Sequence, residues 1–307
     1  MKKLIVKLIG GEKLQMVRIS LLAIIVSLLV GAIVLLLIGK DPFAAYGNLL
    51  QGSGLLPKHS YAGRQNMFTD FMSFLDALTP MIFASLAVSV AMKAGLFNIG
   101  VSGMMLSAGF AATITVGYSD LPAVIAKPLA VIIGMIAGAL IGALIGWLKY
   151  KFNINEVVSA IMLNYILMYV FTFFINTNYV NAVSRQSNPV NDGARLTLTN
   201  VQAFDLKFNI PLAFPLAIIS AVIIWFIMNR TTTGFEIKAV GLSRKAARYA
   251  GIGISKNIIL SMTISGVLAG LAGITYFCGY FASIQRELCR AWASTLSRWH
   301  FSATVTP

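Results

Sequence analysis

The sequence predicts an all-α integral membrane protein, a polytopic helical bundle of about seven spans, and three observations carry that prediction. The chain of 307 residues is 58% hydrophobic and only 11% charged, whereas soluble domains run near 25% charged. Apolar runs of roughly 20 residues, the length that crosses a bilayer core, recur along it. The formal net charge of +14 gathers in alternate polar connectors, the pattern that orients a polytopic protein in a membrane.

The apolar runs fall at 15–39, 72–92, 99–117, 128–148, 157–175, 211–229 and 258–280. The first is too long for the core of a signal peptide and no small-residue cleavage site follows it, so it reads as a retained anchor. A polar connector occupies 40–71. Between the second and third runs lies "MKAGLFNIGVSGMM", where Gly95, Gly100 and Gly103 interrupt the apolar pattern around Asn98. Such a break is either a discontinuous helix beside a pathway or a tight turn between two spans.

The fourth run carries Gly134, Gly138, Gly142 and Gly146. A spacing of four lays them on one helix face, a smooth groove where another backbone packs closely. Gly266 and Gly270 repeat the idea in the seventh run. The fifth run opens "NINEVVSAIMLNYILMYVF", with Glu156 placed to cap its helix at the positive end of the dipole. Asn164, deeper in, must find a partner across a helix interface or on a solute.

After the fifth run, 176–210 is rich in Asn, Thr and the turn pairs "NP" and "DG", a loop for docking or simple connection. Residues 230–257 are strongly basic, and within them "SRKAARYAG" reads as a short helix with Ser243 as N-cap and an end at Gly251. It either lies against anionic head groups or docks another subunit.

With the N-terminus inside, the inner segments hold fourteen Lys and Arg and the outer ones seven, leaving aside the last residues of the chain. The excess obeys the positive-inside rule and accounts for the net charge without nucleic acid. Two cysteines, Cys278 and Cys289, make no disulfide framework, and His59 and His300 alone make no metal cluster. No phosphate loop, HExxH, GxSxG or Ser/His/Asp set is present. The spans also read as lacking the buried carboxylates or histidines of a proton relay, so energy would come from elsewhere.

Four stretches together, "KAGLFNIGVSGMMLSAGFAA", "NEVVSAIMLNYI", "TGFEIKAVGLSRKAARYAGI" and "SGVLAGLAGITYFCGYF", resemble the permease subunits of bacterial ABC importers in the ribose and branched-chain amino-acid permease family. The "FNIG" and "NEVV…IMLNYI" forms look most like the nucleoside branch, and the likeness covers about 75–285 in order. The resemblance implies a single transmembrane permease domain over 1–285, in the bacterial plasma membrane with a cytoplasmic N-terminus. It implies a transport subunit, not an enzyme, with no cofactor of its own. ATP would be used by a cytoplasmic ABC ATPase, a second permease subunit would complete the pathway, and an extracytoplasmic lipoprotein would deliver the nucleoside; membrane lipid surrounds the bundle.

Carried onto this chain, the likeness places ATPase coupling in the 231–254 loop, at Arg244, Lys245, Ala247, Arg248 and Gly251. Phe97, Asn98, Asn164 and Tyr165 are the pathway candidates, because amides and a phenol suit an uncharged polar ring and ribose. A simple sugar such as ribose is the alternative solute. An ATP-independent secondary transporter is the alternative machine, and the basic helix argues against it.

The last stretch, 286–307, departs from the family, which continues past "GYF" into something like "GFDGIAVALLG". Here the chain reads "WASTLSRWHFSATVTP". Back-translated one base out of register, residues from Trp292 onward permit G-F-D-A-I-A-V-A, so a base lost just after the Gln285 codon is expected to have produced an aberrant, disordered tail. Resequencing that codon tests the reading: an unbroken frame with no hidden continuation would end it.

Overall fold

A computed structural model describes residues 15–58, 60–61, 65–179, 187–203 and 206–284. The frameshift expectation for 286–307 lies outside the described residues. All seven apolar runs are helical. The chain divides into two compact units, 1–71 and 72–307.

In the first unit, α1 (Gln15–Leu37) is followed by α2 (Pro42–Gly52). The connector 40–71 therefore holds a helix that apolar periodicity did not announce. Its start is locally encoded: Asp41 accepts the Phe43 N–H at 2.9 Å, and Pro42 sits at the first helical position, where a missing N–H costs nothing.

The second unit contains nearly all of α3 (Met67–Lys93). After it come α4 (Val101–Ala112), α5 (Ala123–Phe152) and α6 (Glu156–Asn178). An antiparallel hairpin of β1 (Thr197–Ala203) and β2 (Leu206–Pro211) follows, with Thr197 opposite Pro211. The chain continues through α7 (Ala213–Arg230), α8 (Thr232–Leu242), α9 (Arg244–Tyr249) and α10 (Ile254–Ile274). Among the described residues five helices are long and apolar enough to cross a membrane: α3, α5, α6, α7 and α10 with its extension; Leu21–Leu37 and Val101–Gly117 are shorter apolar helices.

The centre of this unit is α10, packed along α5 and against α4, while α6 and α7 lie at the periphery. Lipid gives apolar side chains no reason to leave it, so close backbone packing has to hold such helices together. The glycines supply it. A Cβ on Gly138 would strike the Gly266 carbonyl and stand 2.8 Å from the Gly270 Cα; one on Gly142 would strike the Met262 carbonyl and stand 3.1 Å from the Gly266 Cα. Gly134 makes room for the Ile274 side chain, and Gly146 for the Ile259 backbone at 3.0 Å. The glycines of the fourth run and of the seventh are thus partners of one another.

Three local departures from regular helix shape the bundle near its polar residues. Pro80, inside α3, has no N–H to give the Asp76 carbonyl, which loosens the ladder there. Helices α4 and α10 each finish in a π segment, Thr113–Gly117 and Thr275–Tyr280. The two segments meet where Thr113 Oγ1 comes within 3.5 Å of Cys278 Sγ. Finally, α6 is capped by Asn155, whose Oδ1 accepts the Val157 N–H at 2.9 Å, and not by Glu156. The Glu156 carboxylate lies in the first turn, bonded to its own backbone N–H, and also pairs with the Lys149 ammonium at 2.7 Å, across the left-handed Asn153 (φ 52°) that ends α5.

Candidate translocation site and its two flanks

Helix α3 stops at Lys93, and Gly95, at φ +67°, reverses the chain in a conformation that a side chain would strain. The seven residues before α4 begin in a tight turn at Ala94 and Gly95 and continue as irregular, largely buried backbone. Ala94, Leu96 and Asn98 are 1%, 2% and 1% exposed, so this irregular backbone packs one side on protein while Gly95, at the tip of its turn, stays exposed. On one side it rests on α8: a Cβ on Gly241 would strike the Lys93 carbonyl and stand 3.0 Å from the Ala94 carbonyl carbon.

Two amides hold this backbone in place. The Asn98 Oδ1 accepts the Gly100 N–H at 2.9 Å, and its Nδ2 donates to Ser265 Oγ on α10 at 2.8 Å. Ser265 in turn donates to the Ala87 carbonyl of α3 at 2.6 Å. From α6, Asn164 donates to the Ile99 carbonyl at 2.9 Å and accepts the Gly103 N–H at 3.0 Å. Gly103 is the third residue of α4, whose own N-cap, Gly100, has no side chain to offer. Asn164 therefore caps α4 from another helix, satisfying a donor that would otherwise be orphaned at membrane depth. Phe97 is half-buried in the same segment, whereas Tyr165, next to Asn164 in sequence, is 55% exposed on the outer face of α6.

One flank carries the basic residues. Ser243 Oγ accepts the Ala246 N–H at 3.3 Å and starts α9; Gly251, at φ +77°, ends the turn after it. Ala247, 3% exposed, is the anchor, and Arg244, Lys245 and Arg248 are all exposed. Together with Lys149, Tyr150, Asn153 and Tyr249 they line an open cavity of about 600 Å³. Lys149 is matched by Glu156, so the three α9 cations set the sign of this surface.

The other flank holds the residue that sequence reasoning missed. Asp76 is 6% exposed inside α3, contrary to the expectation that the spans lack a buried carboxylate. Its Oδ1 accepts the Thr197 hydroxyl at 2.8 Å, at the first residue of β1. Neighbouring backbone bonds pin 187–197 onto the π-ended helices. Val190 N–H donates to the Ala282 carbonyl at 2.8 Å, Asn191 to Gly117 at 2.8 Å and Leu196 to Cys278 at 3.1 Å. Tyr118, beside this strap, donates to the Asn188 carbonyl at 3.1 Å, and burial pushes its phenol above the usual tyrosine range. The sole sequence signal for Asp76 was an acid four residues before a proline inside an apolar run. Among the described residues no three His, Cys, Asp or Glu side chains gather as a metal site.

Residues 71–293 match the family model described as Branched-chain amino acid transport system / permease component. This chain belongs to that permease family. The permease is 36% identical over 271 residues to the guanosine ABC transporter permease protein NupP of Bacillus subtilis, a match covering 88% of this chain and 74% of the relative. It is 34% identical over 284 residues to the nucleoside ABC transporter permease protein NupB of Lactococcus lactis, covering 90% and 75%. The glucose ABC transporter permease protein TsgB13 of Haloferax volcanii is 27% identical over 272 residues, covering 84% and 67%. No solved structure matches the permease. As a permease component it is an integral membrane transport subunit and not an enzyme.

Proposed function

We propose that this permease is the membrane-spanning subunit of an ATP-driven importer that carries nucleosides. The similarity to two nucleoside permeases across almost nine tenths of the chain is the observation that supports the solute class most directly. The N-terminus is cytoplasmic in this reading, because the inner connectors then hold the excess of Lys and Arg. That orientation puts α9 on the cytoplasmic side, where Arg244, Lys245 and Arg248, held by the buried Ala247 and the turn at Gly251, meet a cytoplasmic ABC ATPase. It puts the strap and the hairpin outside, where an external lipoprotein hands over the nucleoside, and a second permease subunit closes the pathway.

Work from the ATPase reaches the bundle through α8. Gly241 bears directly on the 93–95 backbone, and Asn98 and Asn164 tie that segment to α10 and α6. A push on α9 therefore moves a braced unit and not a loose loop.

Uptake of radiolabelled guanosine by cells carrying the complete transporter tests the reading. It is expected to stop on ATP depletion and to survive collapse of ion gradients; the reverse pattern would make this a secondary transporter. Unlabelled guanosine is expected to compete and ribose not to. Competition by ribose alone would favour the sugar reading that the TsgB13 similarity keeps in view.

A further inference from the structure

The cavities of this chain differ in chemistry. The one beside α9 is basic, and one lined mainly by Gly54, Leu55, Met67, Phe68 and Phe71 is largely apolar. Another, of about 520 Å³, is lined by Tyr118, Asn178, Tyr179, Asn188, Pro189 and Asn191 and carries aromatic rings and amides without a Lys, Arg, Asp or Glu. Its volume falls within the roughly 300–1,000 Å³ of small-molecule sites. It lies at the far end of α6 from the basic cavity. That helix begins at Glu156, paired with Lys149 of the basic cavity, and ends at Asn178, roughly 34 Å away for its 23 residues.

The walls are braced. Tyr118 follows the π end of α4 and Tyr179 follows α6, and their rings stack with centroids 5.3 Å apart and planes 21° from parallel. The strap closes against them: the Tyr118 hydroxyl donates to the Asn188 carbonyl at 3.1 Å, and the Asn188 N–H donates to the Tyr179 carbonyl at 2.9 Å. Two of the amides are turned by the protein. Asn191 Nδ2 donates to the Ser119 carbonyl at 3.0 Å and to the Asp120 carboxylate at 3.2 Å, and Asn178 Nδ2 donates to the Phe174 carbonyl at 3.4 Å. Their N–H groups face protein and their Oδ1 atoms are left to accept, so the lining suits a solute that brings hydrogen-bond donors. An acyl chain or an apolar helix seated here would bury those oxygens with nothing to bond. A planar ring bearing N–H groups satisfies both the amides and the tyrosine faces.

We propose that this cavity is an outer receiving site for the nucleoside, with the base against the Tyr118 and Tyr179 rings and its N–H edge and the ribose hydroxyls on the Asn178, Asn188 and Asn191 amides. The inference rests on the nucleoside reading and its orientation, and adds to them a site at the outer end of α4 and α6. Ring faces accept any base, because every base has a π face, and the amide oxygens favour those that present an N–H.

The test is thiol labelling of the assembled permease and ATPase, with the external lipoprotein added or withheld. Asn188→Cys, in a Cys289→Ser background that retains the buried Cys278, puts a thiol in the cavity wall; Asp192→Cys, on the same strap with a side chain 93% exposed, is the control. A membrane-impermeant maleimide applied from outside is expected to label both. Guanosine without lipoprotein is expected to slow the reaction of Asn188→Cys roughly tenfold and to leave the control unchanged. No slowing, in cells that still take up guanosine, overturns the site and leaves the nucleoside reading standing. Slowing by the lipoprotein alone, with guanosine alone inert, also overturns the site and makes the cavity a protein-docking surface. Slowing by ribose but not by guanosine overturns the site and the nucleoside reading together. As a second variant pair, Tyr179→Leu is expected to raise the guanosine concentration that half-protects the thiol roughly tenfold and Tyr179→Phe to leave it near the parent value, because phenylalanine keeps the ring. An equal rise in both would remove base stacking from the site.

Discussion

At the scale of single residues, the polar side chains inside the bundle owe their positions to backbone groups left over where helices start, stop or break. Asn98 and Asn164 answer the orphaned donors at the start of α4. Asn98→Ala strands the Gly100 N–H and loosens Ser265, so it is expected to destabilise the protein by about 1–3 kcal/mol, read as a lower unfolding temperature in detergent. Thr197→Val leaves the buried Asp76 carboxylate without its hydroxyl donor, a loss of about the same size, while in an Asp76→Asn background the same substitution is expected to cost less because the neutral amide is cheaper to leave unpaired. A double-mutant cycle on stability measures the difference; a coupling near zero would mean that the hydrogen bond contributes nothing.

At the scale of elements, the pairing of α5 with α10 depends on hydrogen atoms where side chains would be. Gly138→Ala drives a methyl group into the Gly266 carbonyl, and an overpacked contact of this kind costs about 1–3 kcal/mol because neither backbone can give way alone. Gly47→Ala, on the open face of α2 with nothing within 4 Å, is the matched control and is expected to be neutral or slightly stabilising. Thermal unfolding of the two variants side by side decides the matter. Helix α9 is too short to stand unaided, so its cap counts: Ser243→Ala is expected to cost about 1 kcal/mol locally and to fray the turn that displays Arg244 and Arg248. Faster amide exchange confined to 244–250 is the expected signature.

At the scale of the whole molecule, the second unit is a tight centre of α4, α5 and α10 with two loosely held peripheral helices. At the α9 end the surface is basic. Arg244→Glu with Arg248→Glu changes only exposed side chains, so folding is expected to survive while co-purification of the partner ATPase falls sharply. Retention of the ATPase at wild-type levels would remove these residues from the docking surface.

Composition and apolar run length by themselves determined the fold class, because the bilayer sets span length and forbids unpaired backbone whatever the neighbours do. The glycine spacing announced a packing face, and Ser243 announced the start of α9, since both are local signals. The partner of each group was not legible. That α5 glycines meet α10 glycines, that Asn164 caps α4 and that Asp76 meets Thr197 are pairings between residues far apart in sequence, and no local pattern encodes them. Helix α2 and the cap at Asn155 were overlooked for a different reason: single side chains set them in polar segments where periodicity is silent. Most of all, the sequence offered Asn98, Asn164 and Tyr165 as equals, and only the tertiary structure separated them, because the two amides turn inward to backbone groups of neighbouring segments while Tyr165 stays exposed on the outer face of α6.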